Sequence, residues 1–326
     1  MPVVLIDQTA LPHRRELWFA GAACDLSTNS AALASVLEDL STSARDSGVS
    51  RFSMQIVVNE GVKESAGSPH FRGLHHIVTA SFGSSNVFVF DLLRWSLSAS
   101  VSASVAGDIR FWKERLIPIT LGVLGAAIGL VPVHCACLAS KGDGLLIAGM
   151  SGAGKSTLSM ALTQTGFNYV SDDWTYMSAQ GGQLVAHGTS APVKLLPDAV
   201  QHFQSLSSHS LQTSMNGELA YEVDVLQAFG ASVERACEPR WLVFLERMQQ
   251  AGCEFARMPS TEAQEYLNLT VERLPTQLPD ASVRRSQIIE SISLLPCWSF
   301  RYGGLPQFAA KHLREFVACQ RQAVYV

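Results

Sequence analysis

Charge is scarce in this chain of 326 residues: Asp, Glu, Lys and Arg make up 16%, and the formal net charge is only −4. No block of basic residues occurs, which argues against nucleic acid or an anionic membrane surface as the main partner. Cysteine is sparse and odd in number, 7, with none of the paired spacings that hold zinc; Cys135 and Cys137 in "HCAC" stand alone. Buried, reduced thiols in a cytoplasmic protein are therefore expected. The N-terminus "MPVVLIDQTALPHRREL" carries Asp7 beside a short apolar run and does not read as an export signal. Internal repeats and low-complexity tracts are missing too. Apolar residues are abundant at 47%, the composition of a compact soluble protein with a substantial core in one large or two modest domains.

One long uncharged run, "LIPITLGVLGAAIGLVPV" (116–133), approaches the length that spans a bilayer. Pro118, Pro132 and three glycines interrupt it, and no basic cluster flanks it. A buried core helix is expected there, not a membrane segment.

Residues 1–110 read as β-rich. "SMQIVV" (53–58), "HHIVTASF" (75–82), "NVFVFDL" (86–92) and "SLSASVSASV" (96–105) are short and partly alternating, with a hairpin turn at "GSSN" (83–86). The one clear helix lies in 29–48, capped by Asn29 or Ser30 and stopped near Gly48. No catalytic pattern is evident in this region. From about residue 111 the character changes. Residues 111–326 read as an α/β domain: a helix over "RFWKERLIPITLGVLGAAIGL", strand "PVHCACLA", turn "KGDG", strand "LLIAG", then a glycine-rich loop. Further on, strands "YMSAQ", "QLVAHG" and "APVKLL" precede a helix at "DAVQHFQSL", a central strand at "PRWLVFLER" (239–247) and a last helix at "PQFAAKHLREFVACQRQ".

"GMSGAGKS" (Gly149–Ser156) matches G-x-x-x-x-G-K-[ST] in full, with an apolar strand before it and the helix "KSTLSMALTQT" after it, ended by Gly166. Gly149, Gly152 and Gly154 allow positive φ, so that the backbone N–H groups from Ser151 and Ala153 through Thr157 converge on phosphate oxygens at a helix N-terminus. Lys155 would place a charge on the β and γ phosphates, and Ser156 a hydroxyl on Mg²⁺. The nucleotide expected is ATP.

"FNYVSDDWTYM" (167–177) follows at once, with Asp172 and Asp173 adjacent. The helix carries the chain roughly 18 Å away from the loop, and the strand brings it back roughly 16 Å. A strand–helix–strand unit is normally parallel, so both carboxylates should return to the loop. If "KGDG" closes a two-residue turn at Gly142-Asp143, counting outwards sets His134 opposite Ser151.

The array "VHCACLASKGDGLLIAGMSGAGKSTLSMALTQTGFNYVSDDW" resembles the HPr kinase/phosphorylase family and the wider set of HPr-kinase-like proteins, peptide-tailoring serine kinases among them. The histidine, hairpin, G-x-S-G-x-G-K-S loop and Asp-Asp strand follow one another at matching spacings. The resemblance spans about residues 112–250. It implies a P-loop nucleotide-binding fold with a mixed sheet, related to phosphoenolpyruvate carboxykinase, and transfer of a γ-phosphoryl group to a hydroxyl. By position, Lys155 would hold phosphate and Ser156 the metal. Asp173 would be the base, with Asp172 serving the metal or positioning Asp173. His134 would tune Asp173 or touch phosphate. "PRWLVFLER" is similar to a later family strand that carries a functional arginine, which points to Arg240. The sequence departs from the family at Thr157, where the family has Glu. The family's acidic metal motif has no match in "HGTSAPVKLLPDAV", where only Lys194 and Asp198 stand. Residues 1–110 do not resemble the family's N-terminal domain.

Three functions stay open. One is a kinase acting on a seryl or other hydroxyl of a protein or peptide. The second is a small-metabolite kinase. The third is a nucleotide-binding regulator or an NTPase with water as acceptor. Assembly into a homo-oligomer is also open.

Overall fold

The computed structural model describes residues 11–42, 49–189, 191–214, 217–270 and 278–324. The chain divides into two compact units: Met1–Pro132 with Ser178–Gly182 and Glu272–Gln287, and Val133–Met177 with Gln183–Val271 and Ile288–Val326.

Short alternating segments build the first unit. Strands β1 (His13–Phe19), β2 (Ala22–Thr28), β3 (Phe52–Asn59), β4 (Pro69–Leu74), β5 (Ile77–Phe82), β6 (Val87–Asp91) and β7 (Ser96–Ser102) form a seven-stranded sheet in the order β1-β2-β3-β7-β6-β5-β4. The period of two sorts its faces. Phe52, Met54, Ile56 and Val58 are buried with Leu97, Ala99 and Val101, while Ser53, Gln55, Ser96, Ser98 and Ser100 lie on the opposite face. Helix α1 (Ala31–Leu40) starts where the Ser30 side chain accepts from the Leu33 N–H, and it buries Leu33, Ala34, Leu37 and Leu40. Its expected stop near Gly48 falls outside the described residues. The strand expected to run from 96 to 105 ends at Ser102, whose hydroxyl caps the one-turn helix α2 (Ala103–Ala106).

The apolar run forms a buried helix. After α3 (Ile109–Phe111), a π-turn over Trp112–Leu116 leads into α4 (Ile117–Ile128), which ends at Gly129 with φ 90°. Pro118 explains the π-turn: its ring would strike the carbonyl of residue 114 in a regular helix, and the wider turn relieves the clash. Among the described residues no helix is long and apolar enough to cross a membrane.

The second unit is mixed α/β. After β8 (Val131–Val133), strands β9 (Ala136–Ser140) and β10 (Asp143–Gly149) pair as a hairpin. The turn is not at the expected Gly142-Asp143. Asp143 pairs with Ser140, and the turn residues are Lys141 and Gly142, with φ 55° and 84°. A two-residue turn of this kind needs positive φ at both central positions, and Asp143 is instead held in the strand by Arg240 and Arg321. The ladder ends at Ala136–Ile147, so His134 does not pair with Ser151. "PVHCACLA" is also two strands, broken by a bend at His134 and Cys135.

Helix α5 (Lys155–Thr163) then leads to β11 (Asn168–Ser171). β9 lies between β10 and β11 and is antiparallel to both, so β10 and β11 share one direction. Next come β12 (Thr175–Gln180) and β13 (Gln183–His187). A small sheet follows, β14 (Val193–Leu195), β15 (Gln212–Thr213) and β16 (Leu219–Val223), in the order β14-β16-β15. The helix expected at "DAVQHFQSL" is two 3₁₀ turns, Pro197–Gln201 and Gln204–Ser208. Short α6 (Val225–Phe229) precedes β17 (Ala236–Arg247), which runs parallel to β10 at the centre of the sheet. β18 (Gly252–Arg257) pairs antiparallel with β19 (Cys297–Gly303), and β19 runs parallel to β17. Helices α7 (Ser260–Leu269), α8 (Pro279–Ser293) and α9 (Pro306–Val324) complete the chain. Leu145 and Ile147 of β10 share one core with Leu158, Ala161 and Leu162 of α5, Val193 and Leu195 of β14, and Ala309, Ala310 and Leu313 of α9. Each such Leu, Ile or Val side chain contributes about 1.5–3 kcal/mol, which fixes α5 and β14 against the strand that carries the loop.

Candidate functional site

The glycine-rich loop leaves the C-terminal end of β10 and turns into α5. Gly152 and Gly154 have φ 78° and 90°, and Gly154 is the N-cap of α5. Gly149 allows close approach instead: a Cβ there would meet the Leu245 carbonyl at 2.9 Å. Ser151 and Gly152 lie exposed at the crest, Ala153 is buried below it, and Ser156 and Thr157 are half-buried in the first turn of α5. The converging amides and the helix N-terminus give this loop the means to hold an anion. Lys155 is only 8% exposed and folds back, its Nζ donating to the carbonyl of Gly149 at 2.9 Å and lying 3.4 Å from that of Met150. Burial lowers its pKa, against the opposing pull of Asp173 and Asp172.

The end of β11 brings both aspartates to this corner. Asp172 is buried, and burial first, then the charge of Asp173, raises its pKa to about 7. Hydrogen bonds from the Ser156 hydroxyl and the Lys194 backbone N–H, and the charge of Lys155, work the other way. Its Oδ1 has no hydrogen-bond partner. Asp173 is exposed and receives a 3.0 Å contact from His134 Nε2. Packing around its carboxyl opposes ionisation, but the His134 hydrogen bond and charge, with Lys155 and Lys194, outweigh it and hold the pKa below the ordinary carboxylate value.

Local hydrogen bonds set this geometry. Thr175 Oγ1 donates to the Cys135 carbonyl at 2.8 Å, and Ser171 and Thr175 share a 2.6 Å hydroxyl contact. They tie the turn after β11 to the bend before β9, so His134 faces Asp173. Trp174 stacks obliquely on His134, with ring centroids 5.4 Å apart.

The residue set differs from the expected one at Arg240. Arg240 pairs with Asp143 and Glu238 at the start of β10 and β17, roughly 20 Å from the loop at ~3.3 Å per residue. Arg247, at the other end of the same strand, stands at the loop instead. Its guanidinium lies 4.3 Å over the ring of Tyr302, and a Cβ on Gly154 would meet Tyr302 Oη at 3.0 Å and Arg247 Cδ at 3.9 Å. Arg247, Tyr302, Trp174 and Lys194 are site neighbours that sequence reasoning did not single out for these places. A parallel β10–β17 pairing would have signalled Arg247, because it sends the C-terminal end of β17 to the loop.

Magnesium fits the residues present. A buried carboxylate oxygen without a partner, beside a seryl hydroxyl at the start of α5, is the donor set of a hard cation. Among the described residues no group of three or more His, Cys, Asp and Glu side chains forms a metal cage. Magnesium commonly takes one or two protein oxygens and completes its shell with phosphate and water.

No protein-family model matches the sequence, and no curated protein does. Among solved structures, the chain is similar to the HPr(Ser) kinase/phosphatase from Coxiella burnetii, with a TM-score of 0.32 and 14% identity, over 60% of this chain and 99% of that one.

Proposed function

We propose that this protein is a Mg²⁺- and ATP-dependent kinase that transfers the γ-phosphoryl group to a hydroxyl, with a serine of a protein or peptide as the expected acceptor. One observation carries the reading: an exposed carboxylate, Asp173, is held 3.0 Å from His134 Nε2, next to a buried carboxylate, Asp172, that is hydrogen-bonded to Ser156 at the start of the helix following the glycine-rich loop. The resemblance of "HCACLASKGDGLLIAGMSGAGKST" and "YVSDDW" to HPr-kinase-like enzymes points the same way.

The loop amides and the α5 N-terminus would hold the β and γ phosphates, and Lys155 would leave its carbonyl partners for the γ oxygens. Bound at Ser156 and Asp172, Mg²⁺ would neutralise phosphate charge. Asp173 takes the acceptor's proton while the hydroxyl oxygen bonds to the γ phosphorus. The bond from that phosphorus to the bridging oxygen breaks, and its electron pair leaves with ADP. His134 donates to Asp173 and keeps the carboxylate aimed and ionised. The openness of the corner favours a peptide over a small metabolite: Asp173 is 65% exposed in its side chain, and Met150 on the loop is 71% exposed.

Labelled ATP tests this. With an acceptor present, the wild type should move label to it. Asp173→Asn should lose about 10²–10⁴ of that rate while still binding Mg·ATP. Release of phosphate alone by the wild type, or full transfer by the variant, would overturn the reading.

A further inference from the structure

One edge of the first unit's sheet is left open. β4 (Pro69–Leu74) stands at the end of the seven-stranded order, with β5 as its ladder partner. All six of its residues are exposed, on both faces. Alternation gives the two faces different chemistry. On one face Phe71 lies opposite Ala80, and the ladder carries that face on through Phe88 and Phe90 to Ala99 and Leu97. Ala80, Phe88 and Phe90 are fully buried, yet Phe71 is 50% exposed, so this apolar layer stops uncovered at the edge. On the other face His70 and Arg72 stand opposite Ser81 and Thr79. The acidic groups at this end of the sheet already have donors. Asp91 on β6 accepts from the N–H groups of Leu93 and Arg94, and Glu64 from those of Ser84 and Ser85.

We propose that β4 docks an extended, acidic segment of a partner polypeptide, which adds to the sheet as one more strand. This stands apart from the kinase reading. An edge strand presents a row of backbone N–H and C=O groups, and a segment paired there satisfies them. Pro69 has no N–H, so the pairing starts from His70. Pleating then fixes the kind of sequence that fits. Residues beside Phe71 are apolar and close the open layer. Residues beside His70 and Arg72 are acidic, and the two sets alternate along the segment. A second copy of this chain does not fit. Paired antiparallel about a two-fold axis at the middle of β4, it would set Arg72 against its own Arg72 or His70.

Fluorescence anisotropy on the full chain tests this, with a labelled, capped peptide of about ten residues in which glutamate alternates with valine. The wild type should bind it at least about tenfold more tightly than the same peptide with lysine for glutamate. Arg72→Glu should reverse that preference, and Phe71→Ser should weaken the glutamate peptide about tenfold or more. Both side chains are exposed, so both variants should melt within about 2 °C of the wild type. Alternate N–H groups of a strand point to opposite edges. N-methylating the amides of every second residue should therefore abolish binding in one register and leave it within about twofold in the other. Binding of neither peptide, equal binding of both, an unreversed preference in Arg72→Glu, or equal effects of the two methylated forms overturns the proposal. So does a concentration-dependent dimer in ultracentrifugation that Phe71→Ser dissolves, which would give the edge to a second copy.

Discussion

Replacing Asp172 with asparagine should stabilise the metal-free protein at neutral and alkaline pH while removing its response to magnesium. The carboxyl is buried and its pKa is raised from 3.8 to about 7, by burial first and by Asp173 second. In the unfolded chain it ionises near the ordinary value. Between the two values the folded state keeps a proton that the unfolded state has released, so stability falls as pH rises through this window and levels off above about 7. A shift of roughly three units at ~1.4 kcal/mol each gives ~4 kcal/mol as the full penalty at alkaline pH. Asparagine escapes it but brings an amide N–H group that needs its own acceptor, at a cost of about 1–3 kcal/mol. The net expectation is a gain of roughly 1–3 kcal/mol at pH 8, on the order of 5 °C in the melting midpoint.

Thermal scans by circular dichroism in the presence of a chelator, from pH 4 to pH 9, would read this directly. The midpoint difference between Asp172→Asn and wild type should be negative at pH 4, where only the amide cost acts, change sign near pH 5 to 6, and reach a positive plateau above pH 7. Adding Mg²⁺ with ADP should raise the wild-type midpoint and leave the variant nearly unmoved. A parallel pH dependence in the two proteins, or a variant less stable at pH 8, would refute the reasoning. Either result would mean that the buried carboxylate is balanced by partners in the metal-free state and is not waiting for a cation.

Three further outcomes follow from the same corner. His134→Gln removes the hydrogen bond and charge that favour ionised Asp173, so the acidic limb of the pH–rate profile for transfer should move to higher pH; an unmoved limb would detach His134 from the base. Arg247→Ala should weaken Mg·ATP binding about tenfold or more, whereas Arg240→Ala should change it less than about twofold, as titration calorimetry would show. Gly154→Ala forces a Cβ onto a φ of 90° and to 3.0 Å from Tyr302 Oη, so it should cost about 1–3 kcal/mol in chemical denaturation and impair nucleotide binding.

The parts of this site that were legible in the sequence are the contiguous ones. From His134 to Asp173 the chain runs strand, turn, strand, loop, helix, strand, and element lengths alone return the aspartates to the loop. His134 was reached through a wrong register: the turn is Lys141-Gly142, which slips the ladder by two residues. His134 lies beyond the end of that ladder, in the bend before β9, and the contact it makes is with Asp173 and not with the loop. The same logic fails for the arginine. β17 is a 12-residue strand with Arg240 and Arg247 near its two ends, and residue type cannot say which end meets the loop. That follows only from the parallel register, Gly149 opposite Leu245, a pairing between residues far apart in sequence. Lys194 was harder still. It sits on a three-residue strand of a separate small sheet, and its place depends on a backbone N–H reaching Asp172. A main-chain donor leaves no mark in the residue type.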